Sequence, residues 1–96
     1  MFDMNLANAN LTSANLTSAD VTESLLSNAN LANATLTGAL LDQSNLTNAN
    51  LADANLTNAD LTETNLTGAN LTGVTLTGAI WSDATCPNGT VTSTGC

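Results

Sequence analysis

Lysine, arginine and histidine are all absent from the 96 residues, while aspartate and glutamate number eight, giving a formal net charge of −8. No ion pair can form within such a chain except through its amino terminus. A basic partner or cations must balance the acids, or solvent must screen them. Binding to nucleic-acid phosphates, which needs cationic side chains, is excluded. So is attraction to an anionic membrane surface. With no histidine or lysine, no such base is available to activate a hydroxyl nucleophile. Aromatic residues are limited to Phe2 and Trp81. No apolar run approaches a membrane span, and no basic start with an apolar stretch resembles a signal peptide. Cysteine occurs twice, at Cys86 and Cys96. The pair is either two free thiols or a bridge, and a bridge implies an oxidising compartment.

What is abundant is leucine, at every fifth position. The series runs Leu6, Leu11, Leu16, Val21, Leu26, Leu31, Leu36, Leu41, Leu46, Leu51, Leu56, Leu61, Leu66, Leu71 and Leu76, and Trp81 takes the next slot. A small residue, usually alanine, stands two positions before nearly every one, the exceptions being Met4 before Leu6 and Val74 before Leu76. A strict period means one structural unit copied many times. On a helix a five-residue step rotates about 140°, so the leucines would spiral and form no face. On a flat strand an odd period sends alternate leucines outward. A chain that bends once every five residues keeps all of them inside. The core is then the leucine series plus Trp81, each fully buried leucine contributing roughly 1.5–3 kcal/mol before the entropy cost. The outward positions agree: a polar residue, mostly asparagine, precedes the leucine, and a turn-tolerant residue such as Asn28, Asn48 or Gly68 follows two later.

The acids set the number of sides. Asp3, Asp20, Glu23, Asp42, Asp60, Glu63 and Asp83 belong to the repeats centred on Met1, Val21, Leu41, Leu61 and Trp81, which are twenty apart. A four-sided coil puts all seven on one face and leaves Asp53 elsewhere; a three-sided coil scatters them. The expectation is an all-β solenoid of about four to five coils, roughly 20–24 Å long at about 4.8 Å per coil.

The unit A-N-L-T-x, as in Ala9-Asn10-Leu11-Thr12-Ser13 and Ala49-Asn50-Leu51-Ala52-Asp53, resembles the pentapeptide-repeat family across residues 4–83. That resemblance implies a right-handed quadrilateral β-helix with the leucine and small residue inside. The tail from Trp81, with Cys86-Pro87-Asn88-Gly89-Thr90, is similar to the disulfide-closed ends of some members from photosynthetic bacteria, which implies a Cys86–Cys96 bridge. The expected organisation is one domain, a solenoid over 1–83 and a capping loop over 84–96. Many members begin with a capping helix, and none is visible here, so the first coil should present unpaired backbone groups.

The pattern breaks in a few places. Ser24, Ser44 and Thr64 take the inward small position and should stack into a column that bonds the backbone or itself. Leu25, Leu40 and Ile80 replace outward polar residues. Leu40 and Ile80 alternate with Asp20 and Asp60 down the acidic face, which separates carboxylates that would otherwise stack at about 4.8 Å. Asp20, Glu23, Leu40, Asp42, Asp60, Glu63, Ile80 and Asp83 are therefore the candidate interaction face, weighed against a solvated face tuned for solubility. No compact ligand cluster suits calcium. Threonines Thr17, Thr37, Thr57 and Thr77 and asparagines Asn10, Asn30, Asn50 and Asn70 form outward ladders expected to bond coil to coil. The Asn-Leu-Thr triplets read as by-products of the repeat rather than glycosylation sites. Trp81 is a natural plug for the last coil. Cys86, Val91 and Cys96 keep the period, so both cysteines could point inward, and the tail must pinch to bring them within bridging distance.

No catalytic, metal or cofactor site emerges. The sequence points to a non-enzymatic structural or protein-interaction scaffold, assembling with copies of itself through the uncapped first coil, as in an extracellular filament or layer. The alternative is an acidic modulator of a topoisomerase or other nucleic-acid enzyme, since some members of the resembled family are acidic rods that mimic DNA. An extracellular, periplasmic or lumenal location fits a bridge and the lack of basic residues, with the cytoplasm left open.

Overall fold

The computed structural model describes residues 3–96. Each pentad makes one corner of a square. The leucine carbonyl accepts the N–H three residues on, as from Ala34 to Leu31 and from Ala59 to Leu56, both at 3.0 Å. The third residue of the turn has a positive φ, 61° at Asn28, 59° at Asn58 and 68° at Gly38. That is the type II arrangement, which explains why Asn, Asp, Ser and Gly recur there. The acidic face is the exception, with Glu23, Gln43 and Glu63 held at 57°, 59° and 55°.

Successive coils pair in parallel at a spacing of twenty, as in Asn10↔Asn30, Asn30↔Asn50 and Asn50↔Asn70. The four-sided winding follows directly from this register. Because four residues of each pentad form the corner, one residue per side is left to bridge. Extended strands therefore do not develop along the coils. The named strands are β1, Ala84–Thr85, and β2, Val91–Thr92.

Backbone N–H groups are accounted for within one pentad. Leu56 N donates to Thr75 O at 2.7 Å, Asn58 N to Thr77 O at 2.8 Å and Asn55 N back to Ala34 O at 3.0 Å; Ala59 N closes the turn. The fifth, Thr57 N, donates to Asn55 Oδ1 at 3.0 Å, and Thr57 Oγ1 donates to the same oxygen at 2.6 Å. The asparagine before leucine thus clasps the residue after it, and the Asn-Leu-Thr triplets have a structural cause. This clasp engages Thr17 and Thr57 within their own coil. It takes these two out of the expected threonine ladder; Thr37 and Thr77, which follow Thr35 and Thr75 instead of asparagine, do not form it. Coil-to-coil asparagine contacts exist but are long, 3.5 Å from Asn50 to Asn30 and 3.4 Å from Asn70 to Asn50.

The leucines from Leu26 to Leu66 in the series are buried, with alanines such as Ala29 and Ala59 filling the space between. At the ends the core thins: Leu6, Leu11, Leu16, Leu71 and Leu76 are only partly covered. Ser24, Ser44 and Thr64 are buried, and they bond the backbone rather than each other. Ser44 Oγ and Thr64 Oγ1 both donate to Leu41 O, at 2.5 and 2.8 Å, and Ser24 Oγ accepts Met4 N at 3.1 Å.

The tail departs from the repeat. Cys86 is buried, but the chain reverses immediately: Cys86 N donates to Thr90 O and Gly89 N to Cys86 O. β2 returns antiparallel to β1, with Ala84 opposite Thr92. Val91 is therefore 65% exposed rather than inward. Cys96 is exposed too, and reaches Cys86 from outside the coil, their Cα atoms 5.5 Å apart in a disulfide. Proline and the Asn-Gly turn override the period here. Gly95 lies against the buried Trp81, where an added Cβ would stand 3.4 Å from Nε1. The molecule measures 27 × 23 × 22 Å, nearly as wide as it is long. Of the repeat centred on Met1, Asp3 is described, at φ 58° with its N–H donating to Thr22 O at 2.9 Å, while Met1 and Phe2 lie outside the described residues.

Candidate interaction face

The coil register brings Asp20, Leu40, Asp60 and Ile80 into one column, each bridged to the next. Asp20 and Asp60 are half-buried, whereas Leu40 is 41% and Ile80 51% exposed. Glu23, Glu63 and Asp83 occupy the positive-φ corner on one side of this column, with Gln43 among them. Asp42 sits between the two columns. Asp53 stands on another face, its Oδ1 filling the space that a Cβ on Gly73 would need. Leu25, 46% exposed, belongs to the neighbouring face and bridges Asn5 and Asn45.

Two of the carboxylates are held in fixed orientation. Asp20 Oδ1 accepts Thr22 N at 3.1 Å and Thr22 Oγ1 at 2.6 Å, and Asp60 Oδ1 accepts Thr62 N at 3.0 Å and Thr62 Oγ1 at 2.6 Å. This is the asparagine clasp with aspartate in the asparagine's place. The hydroxyl of Thr22, followed by its amide, holds the Asp20 carboxyl below its ordinary value. Thr22 Oγ1 also lies 2.9 Å from Asp42 Oδ1. Its single hydrogen serves one carboxylate at a time. The period places Thr22 and Thr62 on this face but gives no sign that their hydroxyls hold the carboxylates. The signal was available in the Asp-x-Thr triplets Asp20-Val21-Thr22 and Asp60-Leu61-Thr62, which repeat the Asn-Leu-Thr spacing.

Among the described residues, no three Asp, Glu or Cys side chains converge in a way that could hold a metal ion. The recesses lie at the ends of the coil stack, away from these acids. One of about 180 Å³, lined by apolar side chains including Met4, Leu6, Leu11 and Leu16, opens at the first coil. Another, of about 480 Å³, lies between Leu71 and the Cys86–Cys96 hairpin.

The profile described as pentapeptide repeats matches in eight copies, over residues 3–28, 24–62 and 44–83. Among solved structures, alr5209, a pentapeptide repeat protein from Nostoc PCC 7120, is 39% identical with a TM-score of 0.79, over 83% of this chain and 68% of that one. HetL, a pentapeptide repeat protein involved in heterocyst differentiation regulation in Nostoc sp. strain PCC 7120, is 34% identical with a TM-score of 0.54, over 92% of this chain and 43% of that one. QnrB1, a plasmid-mediated fluoroquinolone resistance protein, shares the fold at 20% identity and a TM-score of 0.62, over 83% of this chain and 36% of that one. The chain thus spans less than half the length of HetL and of QnrB1. Nothing matches among curated protein sequences.

Proposed function

As this chain belongs to the pentapeptide-repeat family, whose solved members imply a right-handed quadrilateral β-helix, we propose that it is a non-enzymatic binding scaffold that associates with a second copy of itself through its first coil. One observation carries this: the first coil is unfinished on three sides. Leu6, Leu11 and Leu16 are only partly covered and line the apolar recess. In later coils the N–H of the residue before leucine pairs with the coil before it, as Asn30 N does with Ala9 O. The corresponding N–H and C=O groups of Asn5, Asn10 and Asn15 have no backbone partner among the described residues. Unpaired edge groups around an apolar opening are a template for stacking. With extents of 27 × 23 × 22 Å, a stacked end buries on the order of 1,000 Å² over both copies, the lower end for a specific contact.

The Cys86–Cys96 bridge favours an oxidising location, extracellular, periplasmic or lumenal, and a structural role in a filament or layer accords with that setting. Light scattering across a concentration series tests the association. Mass should rise above that of one chain, and Leu11→Asp should abolish the rise. A monodisperse monomer at high concentration would remove the proposal and point to another segment or protein as the cover for that end.

A second reading, an acidic modulator of a nucleic-acid enzyme, is favoured by the concentration of carboxylates on one face. Absence of inhibition in a gyrase supercoiling assay at micromolar protein would count against it.

A further inference from the structure

We infer that the column Asp20–Leu40–Asp60–Ile80 is a docking strip for a basic amphipathic helix of a partner protein, laid along the coil axis. The inference rests on the scaffold proposal only in treating the molecule as a binding rod; it does not use the first-coil end. Everywhere else but at Leu25, the slot before the inward residue is filled by Asn, Thr or Asp. Here it carries two exposed aliphatic side chains, at 41% and 51%, alternating with two carboxylates that their own threonines lock in place. No side chain of the protein carries a positive charge to answer those carboxylates, so a basic side chain that pairs with them belongs to a partner.

Spacing selects the partner's secondary structure. Neighbouring members of the strip are one coil apart, about 4.8 Å, so Leu40 and Ile80 stand about 9.6 Å apart with Asp60 between them. A strand presents side chains to one side about every 6.8 Å and cannot meet both anchors. A helix advances about 5.4 Å per turn, so residues seven apart, about 10.5 Å, reach both, and the residue between them meets Asp60. The partner therefore alternates basic and apolar residues on successive turns of one face. The acids flanking the strip lie on its corner side, at Glu23, Glu63 and Asp83. A second basic row on that edge of the helix fixes which way it lies. A helix on one face of so small a molecule buries an area at the low end of specific contacts, so the complex is transient and steered by charge.

The test uses two labelled peptides of identical composition and equal helicity, read by fluorescence anisotropy. One places Lys and Leu on alternate turns of a single face; the other puts all Lys and all Leu on opposite faces. The first should bind with micromolar affinity at low salt and about tenfold more tightly than the second, a difference of about 1.4 kcal/mol. Replacing Leu40 and Ile80 together by serine should weaken it at least fivefold, Asp60→Asn should weaken it and reduce its salt dependence, and Asp53→Asn should change nothing. Equal binding of the two peptides, indifference to the Leu40 and Ile80 changes, or no binding at about 1 mM overturns the inference. Peptide failure with association by light scattering intact removes this partner alone, whereas a monomer that binds the first peptide removes only the first-coil contact.

Discussion

Thr64 Oγ1 donates to the carbonyl oxygen of Leu41 at 2.8 Å, joining two coils through the interior 23 residues apart. Both groups are shut off from water, so the bond satisfies an otherwise buried hydroxyl. Leu41 O also accepts Ser44 Oγ and Ser44 N, so losing one donor does not orphan it. Thr64→Val keeps the shape and removes only the hydroxyl. The expected loss is about 0.5–1.5 kcal/mol in urea unfolding, with Thr64→Ala costing more because it also leaves a void.

Leucines in the series are not equivalent, although the sequence writes them alike. Leu46 is completely buried between coils on both sides, whereas Leu11 is half-covered at the first coil. Leu46→Ala should cost about 2–5 kcal/mol, and Leu11→Ala distinctly less. Equal losses in chemical denaturation would mean that the first coil is covered in solution, which dilution should then reverse if the cover is a second copy.

Gly78 tests the corner conformation. Its φ is +72°, and an added Cβ would come 2.2 Å from Oδ1 of Asn58 in the coil before. Gly78→Ala should cost the roughly 1–2 kcal/mol of left-handed strain, with only a small addition for turning the free Asn58 side chain aside. Asn58→Gly suits a position already at φ 59° and clears the space. The double variant should recover that addition and retain only the strain, so a double-mutant cycle separates the two.

The winding was legible because it depends on one variable, the phase of a five-residue repeat against the acids twenty apart. The inward hydroxyls Ser24, Ser44 and Thr64 were legible for the same reason. What escaped was chemistry that period alone does not carry. The Asn55–Thr57 clasp depends on side-chain rotamers, so the threonines looked like a ladder. Cys96 and Val91 kept the spacing of inward residues, yet Pro87 and the turn after it reversed the chain. Glu23 and Glu63 at positive φ were hidden as well, because long side chains are poor candidates for that conformation.

Reducing the Cys86–Cys96 bridge should act locally. The bridge closes a ten-residue separation, for which chain entropy gives about 2–3 kcal/mol. Gly95 packs on Trp81, which is 8% exposed and the single tryptophan. Reductant should shift tryptophan emission to the red and release hydrogen-exchange protection at β1 and β2. Amides of the central coils, such as Leu46, should stay protected. Loss of protection throughout would show that the tail holds the whole stack together.

Asp20 supplies the pH dependence. Its carboxyl is held below 3.8, first by the Thr22 hydroxyl and then by the Thr22 amide, against the opposing effect of desolvation. A depressed value means the folded chain binds the proton less readily than the unfolded chain. The clasp therefore stabilises the fold above the ordinary carboxylate value, and that contribution disappears as pH falls through the depressed one. An NMR titration should place the Asp20 midpoint below 3.8. Thr22→Val removes the larger of the two bonds and should raise the midpoint towards that value, while Thr22→Ser, which keeps a hydroxyl, should leave it low. If Thr22→Val leaves the midpoint unmoved, the hydroxyl is not what holds the carboxylate, and the fixed orientation of the strip loses its cause.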